Sequence, residues 1–372
     1  MKATHVASRE CPVPRTLDVV VMGGGPAGCA TAIALARRGL AVTVLERSCY
    51  DTRRIGETLP PECRVPLAAL DSLQRFETDT HLPSSGIASV WGEEGLYQND
   101  FIFNPYGHGW HLDRCRFDAM LARRAADAGV HVLLASTARH CRADANGVEI
   151  EAQRAGDRPI TLRSRFVVDA TGRGASPLPG RQRRIVYDKL VGLVGFVIPP
   201  CGQRNARTLL EAVCEGWWYS ALLPGNRRAV AYMTDGDQLK RHCHDLLRFF
   251  VARLNEAPHT CGQVGIPSDV ESLHLLAAST YRHTSIHGER WLRVGDSACA
   301  YDPLSSSGVL KALQSGLDAA AAIESSLGGD AGALAHYAAR VEQRFSAYLG
   351  MRAYYYGREM RWPASLFWQR RH

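Results

Sequence analysis

The residues best suited to chemistry begin at Gly23-Gly-Gly25-Pro26-Ala27-Gly28, with glycines at the first, third and sixth places. Gly23 permits a tight turn, Gly25 lets a pyrophosphate approach the backbone, and Gly28 allows a helix to pack closely on a strand. Glu46, 18 residues beyond Gly28, is placed to accept hydrogen bonds from an adenosine ribose. An acid there favours adenosine without a 2′-phosphate, so NADP is disfavoured at this position. Two further glycine turns, Asp169-Ala-Thr-Gly172-Arg173 and Gly295-Asp296, lie far off in the chain.

These turns need strands and helices to hold them. Residues 18–22 read as a buried strand that enters the first turn, 29–39 as a helix with Ala, Ile and Leu at helical spacing, and 41–46 as the next strand. That β-α-β order presents free N–H groups and the positive end of a helix dipole to a phosphate. Residues 130–134 read as a strand, followed by a hairpin around Asn146-Gly147 and a strand over 165–169 that enters the second turn. Strand-like runs between about 181 and 284 predict a separate, mainly antiparallel sheet. A strand over 291–296 and a loop over 302–308 precede a long helix, and no internal repeat is evident.

With 372 residues, 46% hydrophobic and 22% charged, the chain has the composition of one large or two interleaved folded domains, not of disorder or coiled coil. No apolar run reaches about 18 residues, so no membrane span is expected. The first residues lack an apolar signal core, which makes the cytoplasm the expected compartment. The net charge of +7 is dispersed, without the aromatic-interleaved basic stripe of a nucleic-acid binder. Lysine occurs only at Lys2, Lys189, Lys240 and Lys311. Eleven cysteines include no Cys-x-x-Cys pair, and Cys29, Cys141 and Cys299 read as small buried hydrophobes in a reducing compartment. His242, Cys243 and His244 precede an amphipathic helix. Adjacent helical residues point about 100° apart, so no metal site is expected.

Five motifs in order, GGGPAG (23–28), RIGETLPP (54–61), WHLDRCRFD (110–118), VVDATGRG (167–174) and GDSACAYDPLSSSG (295–308), resemble the FAD-dependent monooxygenase and flavin-halogenase superfamily, in particular its tryptophan-halogenase branch. The resemblance implies an α/β fold: a Rossmann-type FAD-binding domain of the aromatic-hydroxylase kind, interleaved with a mainly antiparallel β-sheet substrate domain and a short C-terminal helical segment. The expected division is 15–80, 105–178 and 285–330 for FAD, 81–104 and 179–284 for substrate, and 331–372 for C-terminal helices. Implied cofactor contacts are Gly23, Gly25, Pro26, Ala27, Gly28, Glu46, Arg47, Arg54, Glu57, Thr58, Arg114, Asp169, Gly172, Asp296, Pro303, Ser306, Ser307, Gly308 and Val309. Asp296 fits either the ribityl chain or an N-cap of the following loop. Arg114 and Arg116 beside Asp113 resemble a flavin-contacting segment, and an ordinary helix-start ion pair would look the same. The helix after Gly308 would aim its N-terminus at the pyrimidine edge of the flavin.

His108, Trp217, Trp218, Tyr219 and Ser305 are candidates for the substrate pocket, although two adjacent tryptophans in a strand would also simply face opposite sides of a sheet. His108, His111 and Glu57 are candidate acids or bases, none singled out. Two departures from the halogenases stand out. No lysine occurs between Lys2 and Lys189, where the corresponding stretch reads PSSGIASVWGEEG, and Ser305 stands at the place of their loop glutamate. Arginine cannot become a nucleophilic amine near neutral pH. The overall size and the aromatic, Arg-rich ending resemble flavoprotein maturation enzymes that modify peptidyl tryptophan in cysteine-tryptophylquinone oxidases. The resemblance thus implies a monooxygenase that hydroxylates an electron-rich ring through a C4a-hydroperoxyflavin, most plausibly a tryptophan in a partner protein. FAD, O2 and either NAD(P)H or a flavin reductase would take part. A small-molecule hydroxylase, a halogenase with a displaced lysine and a flavin-bound assembly factor are the alternatives.

Overall fold

The computed structural model describes residues 17–154, 156–179, 183–200, 202, 205–240, 244–265, 270 and 273–372. His242 and Cys243, part of the cluster weighed above as a metal site, lie outside the described residues, as do residues 15 and 16.

A parallel sheet forms the first layer. Its strands run in the order Trp291–Arg293, Ile160–Asp169, Leu17–Met22, Val42–Leu45 and His131–Leu133. Leu17–Met22 and Val42–Leu45 are almost wholly buried, which suits strands covered on both faces. The hairpin Ser136–Asp144 with Gly147–Arg154 continues antiparallel from Ile160–Asp169. The first glycine turn opens the helix Pro26–Ala36, buried over nearly its whole length. One side packs on the sheet; the other packs on the helix Gly308–Leu327, where a Cβ at Gly316 would come within 2.7 Å of the Ala27 carbonyl oxygen. Only glycine allows that contact.

The second layer is a seven-stranded sheet in the order Leu273–Ala277, Leu190–Val197, Arg227–Asp235, Gly216–Leu223, Thr208–Val213, Gly86–Val90 and Tyr97–Asp100. Its pairings are antiparallel except that of Thr208–Val213 with Gly86–Val90. A small sheet of Thr58–Leu59, Gly109–His111 and Leu82–Ser84 sets Thr58 opposite His111. The molecule is therefore α/β, with a dinucleotide-type layer and a mainly antiparallel layer.

The long helix Ala333–Gly357 ends six residues before Pro363. Glu359 follows its end. Its carboxylate accepts from Gly92 N at 2.7 Å and pairs with Arg361 at 2.6 Å, which turns the chain so that Phe367 and Trp368 insert against the second sheet. Trp368 Nε1 donates to Val213 O at 3.0 Å.

Candidate active site

At the first turn Gly23 has φ +113°, and a Cβ there would stand 2.3 Å from Ala170 O; one at Gly28 would stand 1.9 Å from Gly23 O. Only glycine fits either place. By contrast a Cβ at Gly25 would meet nothing within 4 Å, which leaves open backbone before the helix. That helix has no side-chain cap, Pro26 in its first turn and no acid there. Its first amide groups are thus free for an anion.

Glu46 closes this end. Its Oε2 accepts from Gly24 N at 2.7 Å, and its Oε1 from Ser48 N at 3.0 Å and Arg54 at 2.9 Å. Burial pushes the Glu46 pKa up, but Ser48, Arg54 and Gly24 outweigh it and hold the carboxyl below its ordinary value. Arg54 reaches on to Asp118 at 3.1 Å, and Arg114 grips the same carboxylate with Nε and Nη2, each at 3.1 Å. Asp118 escaped the sequence reading. Its signal was its place four residues after Arg114 on a helix. Asp113 instead caps that helix, accepting from Arg116 N at 3.1 Å. Arg47 is exposed.

At the other end Asp296 pairs with Lys311 at 2.6 Å and Arg173 at 3.3 Å. Burial alone would raise its pKa; Lys311 and Arg173 bring it below the ordinary value. Lys311 also donates to Cys299 O at 2.6 Å and lies 4.3 Å from the Tyr301 ring centre. The capping role weighed for Asp296 belongs to Asp302, which accepts from Leu304 N at 2.9 Å. Beyond Pro303, Ser305 Oγ donates to Asp302 O at 3.0 Å and receives Ser307 Oγ at 3.0 Å. Ser306 adopts φ +48°, and its buried Oγ has no partner among the described residues. The helix from Gly308 and Val309 starts without a side-chain cap or an acid in its first turn. Gly316, which touches Ala27, is eight residues past Gly308, so the two uncapped helix starts are offset by about 12 Å.

Two uncapped helix starts, the open backbone at Gly25, an acid at the adenosine end and an orphaned serine hydroxyl at the other end match the donors and acceptors that FAD requires. Asp169 does not join them. Its carboxylate accepts from Arg293 at 2.8 Å and from Thr171 N and Oγ at 3.0 and 2.7 Å, fully buried, and so ties neighbouring strands together. Its carboxylate therefore has a structural role. Gly172, with φ +68°, turns the chain toward Arg173, which sequence reasoning passed over.

The RIGETLPP strap is held by Arg114, which donates to Ile55 O at 2.7 Å and Gly56 O at 3.2 Å. Tyr219 comes to this strap: its hydroxyl is 2.9 Å from Thr58 Oγ1 and 3.4 Å from Glu57 Oε2. Ile55, Leu304, Phe196, Leu210, Trp217 and Tyr219 share one apolar cluster, which brings the strap, the loop before the helix Gly308–Leu327 and the second sheet together. Trp217 is fully buried. Its Nε1 donates to the Tyr356 hydroxyl at 3.0 Å, which donates to Asp302 Oδ2 at 2.8 Å. Trp218 takes the opposite face, against Tyr232 and Phe250, because successive strand side chains alternate. His108 is exposed, with its ring edge-on to Trp110. Neither side chain belongs to this face. Ser305 is exposed at the loop. A separate groove of about 490 Å³ between Trp362–Leu366 and Cys214, Glu215 and Thr234 contains none of the turn residues. Among the described residues no helix is long and apolar enough to cross a membrane, and no group of three or more His, Cys, Asp or Glu could hold a metal.

The profile of the lycopene cyclase protein family matches residues 18–197. The chain is 28% identical to the putative FAD-dependent oxidoreductase LodB of Marinomonas mediterranea, over 95% of this chain and 96% of that one. It is 26% identical to the flavin-dependent halogenase armH3 of Armillaria mellea, over 91% and 74%. Among solved structures it resembles the peptidyl tryptophan dihydroxylase QhpG, essential for tryptophylquinone cofactor biogenesis (TM-score 0.80, 26% identity, 96% and 78% covered). Its fold also matches the myxobacterial chondrochloren halogenase CndH (TM-score 0.84, 24% identity, 96% and 86% covered).

Proposed function

We propose that this chain, which belongs to the superfamily of FAD-dependent oxidoreductases that includes the flavin-dependent halogenases, is a monooxygenase that hydroxylates a tryptophan side chain of a partner protein. The observation that carries this reading is the state of the lysines. Lys311 is the lysine of the cofactor end, and its ammonium is committed to Asp296 and to Cys299 O. Lys189 is exposed and pairs with Asp237; Lys240 is exposed. Among the described residues the lysine of the cofactor end is thus not a free amine able to capture a hypohalous acid, whereas hydroxylation asks the protein only to position an electron-rich ring and exclude water.

FAD, when bound, supplies the electrons and activates O2; NAD(P)H or a flavin reductase would reduce it. The open backbone at Gly25 and the free first amides of the helix that Pro26 begins would hold the pyrophosphate, and Glu46 the ribose. The uncapped start of Gly308–Leu327, with Ser306 Oγ, would bind the pyrimidine edge and favour negative charge there. Arg114 fixes the strap, and the apolar face of Ile55, Leu304, Phe196 and Leu210 excludes water from the ring. A protein substrate is favoured by the exposed apolar segment beyond the strap, where Ile102 is 80% and Phe103 93% exposed. Such patches mark contact surfaces.

The test mixes reduced, FAD-loaded enzyme with O2 and the candidate partner, with chloride or bromide present in parallel. A gain of one or two oxygen masses on a partner tryptophan is expected. A halogen mass, or turnover only with free phenols or indoles, would overturn the reading.

A further inference from the structure

We propose that Glu57, Tyr219, Thr58, Thr208 and His111 form a relay that carries one proton from the site to a buried imidazole. It deepens the reading above and rests on it. Glu57 lies in the strap that Arg114 holds, between the cofactor end and the second sheet. Its Oε1 is buried without a hydrogen-bond partner among the described residues. From Oε2 a line of hydroxyls continues: Tyr219 at 3.4 Å, then Thr58 at 2.9 Å, Thr208 at 3.0 Å and His111 Nε2 at 2.9 Å. His111 Nδ1 faces the Leu222 carbonyl oxygen at 2.7 Å.

The last contact sets the order of the protons. A carbonyl oxygen only accepts, so Nδ1 carries a hydrogen. If His111 is neutral, Nε2 accepts from Thr208. Each hydroxyl has one hydrogen to give, so Thr58 donates to Thr208, Tyr219 to Thr58, and Glu57 must be a protonated acid that donates to Tyr219. If instead Glu57 is ionised, every donation reverses, and Nε2 must carry a hydrogen as well, which makes His111 an imidazolium. The two arrangements contain the same atoms and differ by one proton moved along the line. Burial favours the neutral pair: it drives the Glu57 carboxyl up against the pull of Arg114, and it drives His111 down to about 4 with help from Arg228. Arg114 beside Glu57 and Arg228 beside Tyr219 and His111 are the charged groups facing the line.

The resting order therefore points away from the site. When oxygen has added to a ring carbon, the C–H bond there breaks heterolytically and its electron pair restores the aromatic ring. The proton passes to Glu57 Oε1. The Oε2 proton moves to Tyr219, each hydroxyl hands one on, and His111 Nε2 gains one. No electrons are transferred in the relay.

The test uses the FAD-loaded enzyme and three readouts: the infrared carbonyl band of a protonated carboxylic acid, ¹⁵N resonances of His111, and single-turnover rate. At pH 7 the band is expected in the native enzyme and absent from Glu57→Gln, with His111 neutral and protonated on Nδ1. Thr208→Val should shift both signals and slow turnover about 10- to 100-fold, within the range general acid–base catalysis supplies; Thr208→Ser should restore them. Tyr219→Phe serves if Thr208→Val misfolds. An ionised Glu57 at pH 7, or Thr208→Val leaving the band and resonances unmoved, overturns the relay. If partner tryptophan is never oxidised by the native enzyme, the proposed function fails, and the two spectroscopic readouts still decide whether Glu57 and His111 share the proton.

Discussion

Replacing Lys311 by methionine tests the cofactor end most directly. Lys311 is 9% exposed and its ammonium lies 2.6 Å from Asp296. At an effective dielectric of about 20, opposite unit charges at that distance attract by about 6 kcal/mol. Desolvation of both groups cancels much of this. Asp296 is 33% exposed and keeps Arg173 at 3.3 Å, so the net loss should be about 2–3 kcal/mol, below the range for fully buried pairs. Unfolding entropy of about 2.1 cal/mol/K per residue converts that into a fall in Tm of about 3–4 °C. The pH dependence has a definite sign. The Asp296 carboxyl is held below its ordinary value by Lys311 and Arg173, so its contribution is present above the unfolded pKa of about 4. It is lost as pH falls through the lower folded value. The gap in Tm between native and Lys311→Met should thus be full at pH 6–7 and shrink below about pH 4. Thermal unfolding at a series of pH values measures both quantities. A variant whose Tm stays within about 1 °C of native at pH 7, or whose deficit grows in acid, would refute this account of the pair.

Gly28→Ala should purify without flavin absorbance, because its new Cβ would overlap Gly23 O at 1.9 Å; retained yellow colour would contradict the cradle. Arg293→Met strands the fully buried Asp169 carboxylate and should cost about 3–5 kcal/mol in urea unfolding, the largest loss among these variants. Tyr356→Phe removes the acceptor of Trp217 Nε1 and one donor to Asp302. A loss of about 1–3 kcal/mol is expected, with weaker flavin retention if, as proposed, the helix from Gly308 binds the flavin, because Asp302 caps the loop before it.

Much of the dinucleotide layer is written in local pattern. Glycine sterics, the two-sided burial of 17–22 and 42–45 and the acid at 46 depend on neighbours in sequence, so they can be read without coordinates. The strand Thr208–Val213 could not be. It is buried throughout and contains Glu211, whose carboxylate accepts from Thr260 N at 2.7 Å. A charge in such a run hides the strand until its distant partner is known. The same holds for Asp118 between Arg54 and Arg114, for Lys311 on Asp296, and for the faces of Trp217 and Trp218. The chain's letters determined that a dinucleotide-type layer would form and where its turns would fall, because those choices are made by backbone geometry over a few residues. Only the tertiary structure decided which charges neutralise one another, and which hydroxyls line up between Glu57 and His111. Such outcomes turn on contacts between residues 64, 97 and 162 apart, as for Arg54 with Asp118, His111 with Thr208 and Tyr219 with Glu57, where Coulomb and hydrogen-bond energies act through space and sequence spacing carries no information about them.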